Sequence, residues 1–203
     1  MFYRPGTDPH GLAHNPFKAL VAPRPIGWIS TVDAEGRVNL APYSFFNAVA
    51  DTPPMVIVSN SGSKAGETAA KDSVTNIRAT GEFVCNVVPL ALKDAMNISS
   101  GEYHPNIDEF EHAGLAKAPS HVVAPPRVAA APAALECRLW RIVELPGAAN
   151  VLVIGEVVGV HIADSVIVDG KVDVTLYQPL ARLGYRDYAA VSEVFALSRP
   201  GQT

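Results

Sequence analysis

Cysteine, charge and long apolar runs are all scarce in this chain. Of 203 residues only two are cysteine, Cys85 in FVCNVV and Cys137 in LECRLW. They sit far apart in strand-like surroundings and read as small, buried, reduced hydrophobes, with a disulfide or redox pair as the alternative. A reducing cytoplasm is the expected compartment. Charged residues make up 18%, with a formal net charge of -4 and a pI near 5.8. That balance gives no general attraction to nucleic acid or to an anionic membrane, and neither partner is expected. The apolar runs, such as MVIV from Met55 and VLVI from Val151, fall well below the roughly 18 residues of a spanning helix. The start, MFYRPGTDPHG, lacks the basic region and apolar stretch of a secretory signal. The chain also has no G-x-G-x-x-G, no P-loop and no G-x-S-x-G elbow. His10 and His14 are four apart, but Gly11 and the neighbouring prolines argue against a helix that would stack them as metal ligands. They read as structural or surface histidines, and no metal is expected.

What is present is a globular composition, 48% hydrophobic, enough for one domain over 1–203 with a substantial core. Residues 1–20 hold Pro5, Pro9 and Pro16 and read as an irregular lead-in. IGWISTV, the turn Asp33-Ala34-Glu35-Gly36 and RVNLAPYSFF form a predicted hairpin, with Gly36 supplying the positive φ. Pro53 and Pro54 mark a connection before the short strand MVIVS. A helix is predicted from a cap at Asp72 or Ser73 through Ala79, stopped by Gly81. EFVCNVV is strand-like. PLALKDAMNI and NIDEFEHAG are short helical patterns, the second ended by Gly114. Residues 117–134, rich in Ala and Pro, form an internal crossing. The last third, with LECRLWRIVEL, NVLVIGEVVGVHIA and SVIVDGKVDV, is β-branched and punctuated by Pro146-Gly147 and Asp169-Gly170. Many strands with a few short helices predict a mainly β fold, a closed or nearly closed barrel.

Two segments could carry chemistry. Asn39-Leu40-Ala41-Pro42-Tyr43-Ser44-Phe45-Phe46-Asn47 begins as strand and meets Pro42, which frees nearby backbone groups to face a ligand. Asn39, Ser44 and Asn47 add side-chain partners. A proline-bent strand with surface polar residues is the plain alternative. Lys71-Asp72-Ser73 opens a helix, where free N–H groups, the helix dipole, a hydroxyl and a full positive charge suit a phosphate. An ordinary capped helix with a solvated lysine is the alternative there, and Lys64 in the preceding loop is a second phosphate candidate. Together the segments suit a flat ring with a phosphate tail. His104 lies in a loop, and His161 reads as a packed strand histidine or a pocket neighbour.

RPIGWIST, VNLAPYSFFN, PPMVIVS, KDSVTNI and GEFVCN, in that order, resemble the flavin reductase-like proteins, specifically the FMN-binding, flavoredoxin-like branch. MNISSGEYHPNIDEFEHAGL, ALECRL, VIGEVVGVHI and LARLGYRDYAAV extend the resemblance from about Phe17 to Pro200. It implies a split β-barrel of Greek-key type and a homodimer with FMN near its interface, FAD being the alternative cofactor. It also implies hydride transfer from C4 of NADH or NADPH to flavin N5, with a monooxygenase or redox protein as the downstream partner. The other readings it leaves are a non-enzymatic FMN electron carrier and a split-barrel binding protein without cofactor. Asn39, Leu40, Ala41, Pro42, Tyr43, Ser44 and Asn47 would line the ring and ribityl chain with Ser59 close by. Lys71 and Ser73, with Asp72 between them, would form the phosphate end. Ser73 replaces the family's usual threonine and keeps the hydroxyl. Tyr185 follows Gly184 where the family often has Gly or Asn, and would narrow the pocket. No general acid or base is implied.

Overall fold

The computed structural model describes residues 1–62 and 71–201. Its centre is a seven-stranded, wholly antiparallel sheet. The strands are β1 (Gly27–Val32), β2 (Val38–Tyr43), β3 (Phe46–Asp51), β4 (Pro54–Asn60), β5 (Glu82–Val87), β6 (Ala133–Glu144) and β7 (Val151–Ile162). In space they run β2-β1-β5-β6-β7-β4-β3. The two edge strands are therefore consecutive in sequence, joined only through Ser44 and Phe45. A flat sheet would hold them six gaps of about 4.8 Å apart, roughly 29 Å. Three Cα steps from Tyr43 to Phe46 reach about 11 Å at most. The sheet must roll until its edges meet at that corner, where Ser59 N–H donates to the Phe45 carbonyl at 2.8 Å. No ladder joins β2 to β3, so the roll stays split.

Alternation along the strands serves two cores. Ile29, Phe83, Cys85, Cys137, Val56, Val58 and Val153 fill the inside, plugged by Val74 and Ile77 of helix α1 (Asp72–Thr80). On the outside Trp28 and Leu40 pack with Val88, Met96, Phe110, Val128 and Leu180. The cysteines are free and buried, and burial beside Cys137 pushes the Cys85 thiol well above its ordinary range.

The Ala/Pro-rich crossing is fixed to the outer face by polar side chains. Glu136, with no exposed surface, accepts from the N–H groups of His121 at 2.7 Å, Val122 at 2.6 Å and Val123 at 3.0 Å. His161 Nε2 meets the same carboxylate. Ser30 Oγ donates to the Pro126 carbonyl, and Asn86 bridges the Trp28 carbonyl at 3.0 Å and the Val128 N–H at 2.8 Å. Burial works against ionisation of Glu136, but the His161 bond and the three backbone donors outweigh it and hold the carboxyl down at about 2. A second, three-stranded sheet joins Arg24–Pro25, Leu180–Arg182 and Tyr188–Ala190.

The mainly β architecture with a few short helices agrees with the sequence reading, as do Gly36 at φ 82°, Gly81 at φ 74° and Gly114 at φ 68°. Three details differ. YSFFN does not continue one strand but turns a corner into β3, whose pairing with β4 the proline connection concealed. Pro42 does not end β2, which runs on to Tyr43. The N-cap of α1 is Lys71, at φ -60° and ψ 155°, and no side chain caps it.

Candidate functional site

β2 shows how a proline stays within a strand and still shapes a site. Pro42 lies opposite Trp28 and Leu40 opposite Ser30, so the two share one parity. Leu40 N–H points away from β1 and donates to Glu109 Oε2 at 3.0 Å. Pro42 thus occupies a position whose missing donor would have faced the free edge, and the ladder loses nothing. By the same parity the Leu40 and Pro42 carbonyls face outward along that edge.

Two adjoining cavities open there. A slot of about 50 Å³ is lined by Asn39, Ala41, Pro42, Tyr43, Lys71, Asp72, Ser73, residues 99–103 and Glu109. A second, about 120 Å³, is lined by Lys18, Tyr43, Ser44, Phe45, Ser59, Asn60, Ser61 and Lys71. Tyr43 and Lys71 border both. Nine of the eleven residues expected at the site therefore converge. Leu40 and Asn47 do not line it. The Leu40 side chain is fully buried in the outer core. Asn47 lies beyond the corner on exposed β3, its Oδ1 accepting from the Ala48 N–H at 2.9 Å. Lys64 falls outside the described residues.

The cavity walls have distinct chemistry. Asn39 Nδ2 donates to Ser73 Oγ at 2.9 Å, both side chains being buried, which fastens β2 to the first turn of α1. Lys71 Nζ lies 5.8 Å from the centre of the Tyr43 ring. Tyr43 Oη is buried and, among the described residues, has no hydrogen-bond partner. Burial pushes this hydroxyl up to about 12; the Ser73 hydroxyl pulls the other way, and Asp72 and Glu109 add to the rise. It stays protonated near neutral pH, a donor on a residue that borders both cavities. Burial also raises the Glu109 carboxyl, against the N–H groups of Leu40 and Glu109 itself and reinforced by Asp72 and Asp108.

Sequence reading missed Glu109 and Lys18. NIDEFEHAG signalled only a short helix, Glu109–His112, capped by the Asp108 side chain; nothing in it showed that Glu109 is buried against β2. Lys18 stands in the segment read as an irregular lead-in. The remaining candidates lie elsewhere. His161 is engaged with Glu136, and His104 is exposed, its Nδ1 accepting from the Asn106 N–H at 3.3 Å. Tyr185, at φ 55°, packs against the His14 ring and lines neither cavity. Among the described residues no three His, Cys, Asp or Glu side chains group as metal ligands.

Comparison with known proteins places the fold. The family described as "Flavin reductase like domain" matches residues 20–179. An uncharacterized protein of Aquifex aeolicus is 38% identical over 170 residues, 83% of this chain and 85% of its own length. Nitrilotriacetate monooxygenase component B from Bacillus cereus superposes with a TM-score of 0.88 at 33% identity, over 97% of this chain and 98% of that one. The 2-nitrobenzoate 2-nitroreductase of Pseudomonas fluorescens gives 0.79 at 30%, over 91% and 89%. Since the match spans the rolled sheet and both walls of the cavities, this chain belongs to the flavin reductase-like family, and its rolled sheet is the split barrel of that family.

Proposed function

We propose that the protein is an FMN-binding oxidoreductase of the NAD(P)H:flavin type, working as a homodimer. The observation that carries this reading is Tyr43 Oη, a buried donor without a partner among the described residues, on a side chain that borders two cavities. One cavity is flanked by a free strand edge and the other by two lysines and three serines. Buried hydroxyls ordinarily have partners, and a ligand spanning the junction would supply one. These groups fit FMN: the outward carbonyl of Pro42 for the ring edge, the Tyr43 donor between, and Lys71 with Ser44, Ser59 and Ser61 at the phosphate end. Glu109 holds the Leu40 N–H and keeps that edge in place.

Bound flavin supplies the electron-accepting chemistry, with hydride passing from nicotinamide C4 to flavin N5. The chain's own contribution is to bind, orient and exclude water; no side chain is assigned as acid or base. Cavities of about 50 and 120 Å³ are small beside the ~300 Å³ or more of ordinary ligand pockets, which favours a half-site completed by a second copy. The exposed edge strand β3, with Val49 half exposed and no lysine, is the sort of edge that seeks a partner. Among the described residues no helix is long and apolar enough to cross a membrane, and a cytoplasmic location completes the reading.

The likeness to a monooxygenase component B favours delivery of reduced flavin to a monooxygenase. A flavin-carrying electron-transfer protein needs the same cradle and is the second reading. Purified protein should show flavin absorbance after incubation with FMN, and the bound flavin should bleach on anaerobic mixing with NADH or NADPH. Absence of bleaching with either donor leaves the carrier, and a colourless protein that gains no flavin leaves neither. Lys71→Ala should weaken FMN binding by about 1.5–3 kcal/mol, the worth of a charge-assisted hydrogen bond, with the fold intact; unchanged affinity in a titration would remove Lys71 from the site.

A further inference from the structure

Residues 18–21 of the lead-in are held against the barrel corner by a buried cation. Arg24 is only 7% exposed and, among the described residues, has no carboxylate partner. Its Nη1 donates to the Lys18 and Val21 carbonyls and its Nη2 to the Leu183 carbonyl at 2.7 Å, while its Nε is buried without a partner among the described residues. The Phe45 ring at the corner is flanked by Arg24 Cζ at 5.8 Å and Lys18 Nζ at 5.7 Å. Gly184 closes the other side, where a Cβ would come within 2.4 Å of Ala19 Cβ. These contacts set Lys18 at the rim of the 120 Å³ cavity, which Lys71 reaches from α1.

Among the described residues that cavity is lined by Lys18, Lys71, Ser44, Ser59 and Ser61 with no carboxylate. The neighbouring slot, by contrast, carries Asp72, Glu102 and Glu109. An anionic tail is thereby steered to one side of Tyr43 and away from the other. A phosphate monoester carries about -1.5 to -2 near neutral pH, more charge than one lysine offsets. Resting on the FMN reading above, we propose that Lys18 is a second cationic ligand, with Lys71, for the terminal phosphate of the flavin, and that Arg24 is the positioning residue that places it there.

Titrations with FMN and with riboflavin, which has no phosphate, test this through binding alone. In Lys18→Gln, FMN affinity should fall about fivefold at low salt, the effect of an exposed cation on a charged ligand. Riboflavin affinity and the unfolding midpoint should not change, and the FMN loss should shrink as salt rises. Arg24→Lys should lower FMN affinity in the same sense, and the double variant should lose less than the sum. Unchanged FMN affinity in Lys18→Gln overturns the proposal, and so does an equal loss for riboflavin. A KM for NADPH that rises relative to NADH while FMN affinity holds would assign Lys18 to the donor's 2′-phosphate instead. A wild type that binds riboflavin but gains nothing from the phosphate overturns this proposal and leaves flavin binding standing; one that binds neither overturns both.

Discussion

Replacing Glu136 with glutamine changes one atom of the side chain and should cost the fold several kcal/mol. The carboxylate accepts from three backbone N–H groups of the crossing and from His161 Nε2, in a place with no exposed surface. An amide keeps one acceptor oxygen and turns an NH₂ toward the remaining donors, so at least one buried donor is left unmatched, worth about 1–3 kcal/mol, and the charge-assisted character of the others is lost. Linkage gives a second route to the magnitude. The folded carboxyl sits at about 2 against an ordinary 4.5, and at 1.36 kcal/mol per unit that is roughly 3 kcal/mol. Because the folded value is depressed, this contribution is fully present above the ordinary value and drains away as pH falls toward the folded one. By pH 3 about 2 kcal/mol of it should be gone. Urea unfolding of wild type and Glu136→Gln at pH 7 should therefore differ by about 3 kcal/mol with equal m-values, and the difference should narrow as pH drops from 5 to 3. A difference below 1 kcal/mol at pH 7, or one that does not narrow in acid, would refute the reasoning that this carboxylate pins the crossing.

Two further substitutions probe the site and the core. Tyr43→Phe deletes a buried hydroxyl that has no partner among the described residues, so the unfolding midpoint should hold or rise by up to about 1 kcal/mol while FMN binding weakens; a clear loss of stability would mean the hydroxyl is satisfied within the fold. Gly155→Ala places a Cβ within 2.3 Å of the fully buried Phe83 ring and should cost about 1–3 kcal/mol. Adding Phe83→Leu should recover part of that in a double-mutant cycle, and strict additivity would show that the two positions do not collide.

The local grammar of the sequence carried far. The Asp33-Gly36 turn and the glycine stops at Gly81 and Gly114 stand where turn chemistry puts them. The corner at Ser44 and Phe45 was hidden because YSFFN contains neither glycine nor proline and reads as uninterrupted strand. Leu40 packs into the outer core, which the run Asn39-Leu40-Ala41 does not reveal. Asn47 was misplaced by the same corner. Glu109 and Lys18 were beyond local reading, since one is buried by a helix docking on β2 and the other is carried to the cavity by Arg24 from six residues away. The most misleading cue was Pro42, read as a break; it marks an edge, and only the pairing with Trp28 shows that.

The two-residue link between the edge strands has a consequence for how such a protein can diversify. Surface loops elsewhere can grow at small entropic cost, about 0.6 kcal/mol per doubling, and leave the sheet as it is. The link at Ser44 and Phe45 sets the circumference of the roll, because it is the tether that brings the first and last strands together. Tyr43, which precedes it, also belongs to the wall shared by the two cavities. Lengthening it would loosen the hoop and part the ring wall from the phosphate wall in one step. New substrates are then more readily reached by changing what covers the site from outside than by altering this hinge of the barrel, which leaves the N-terminal lead-in and a neighbouring subunit as the adaptable parts.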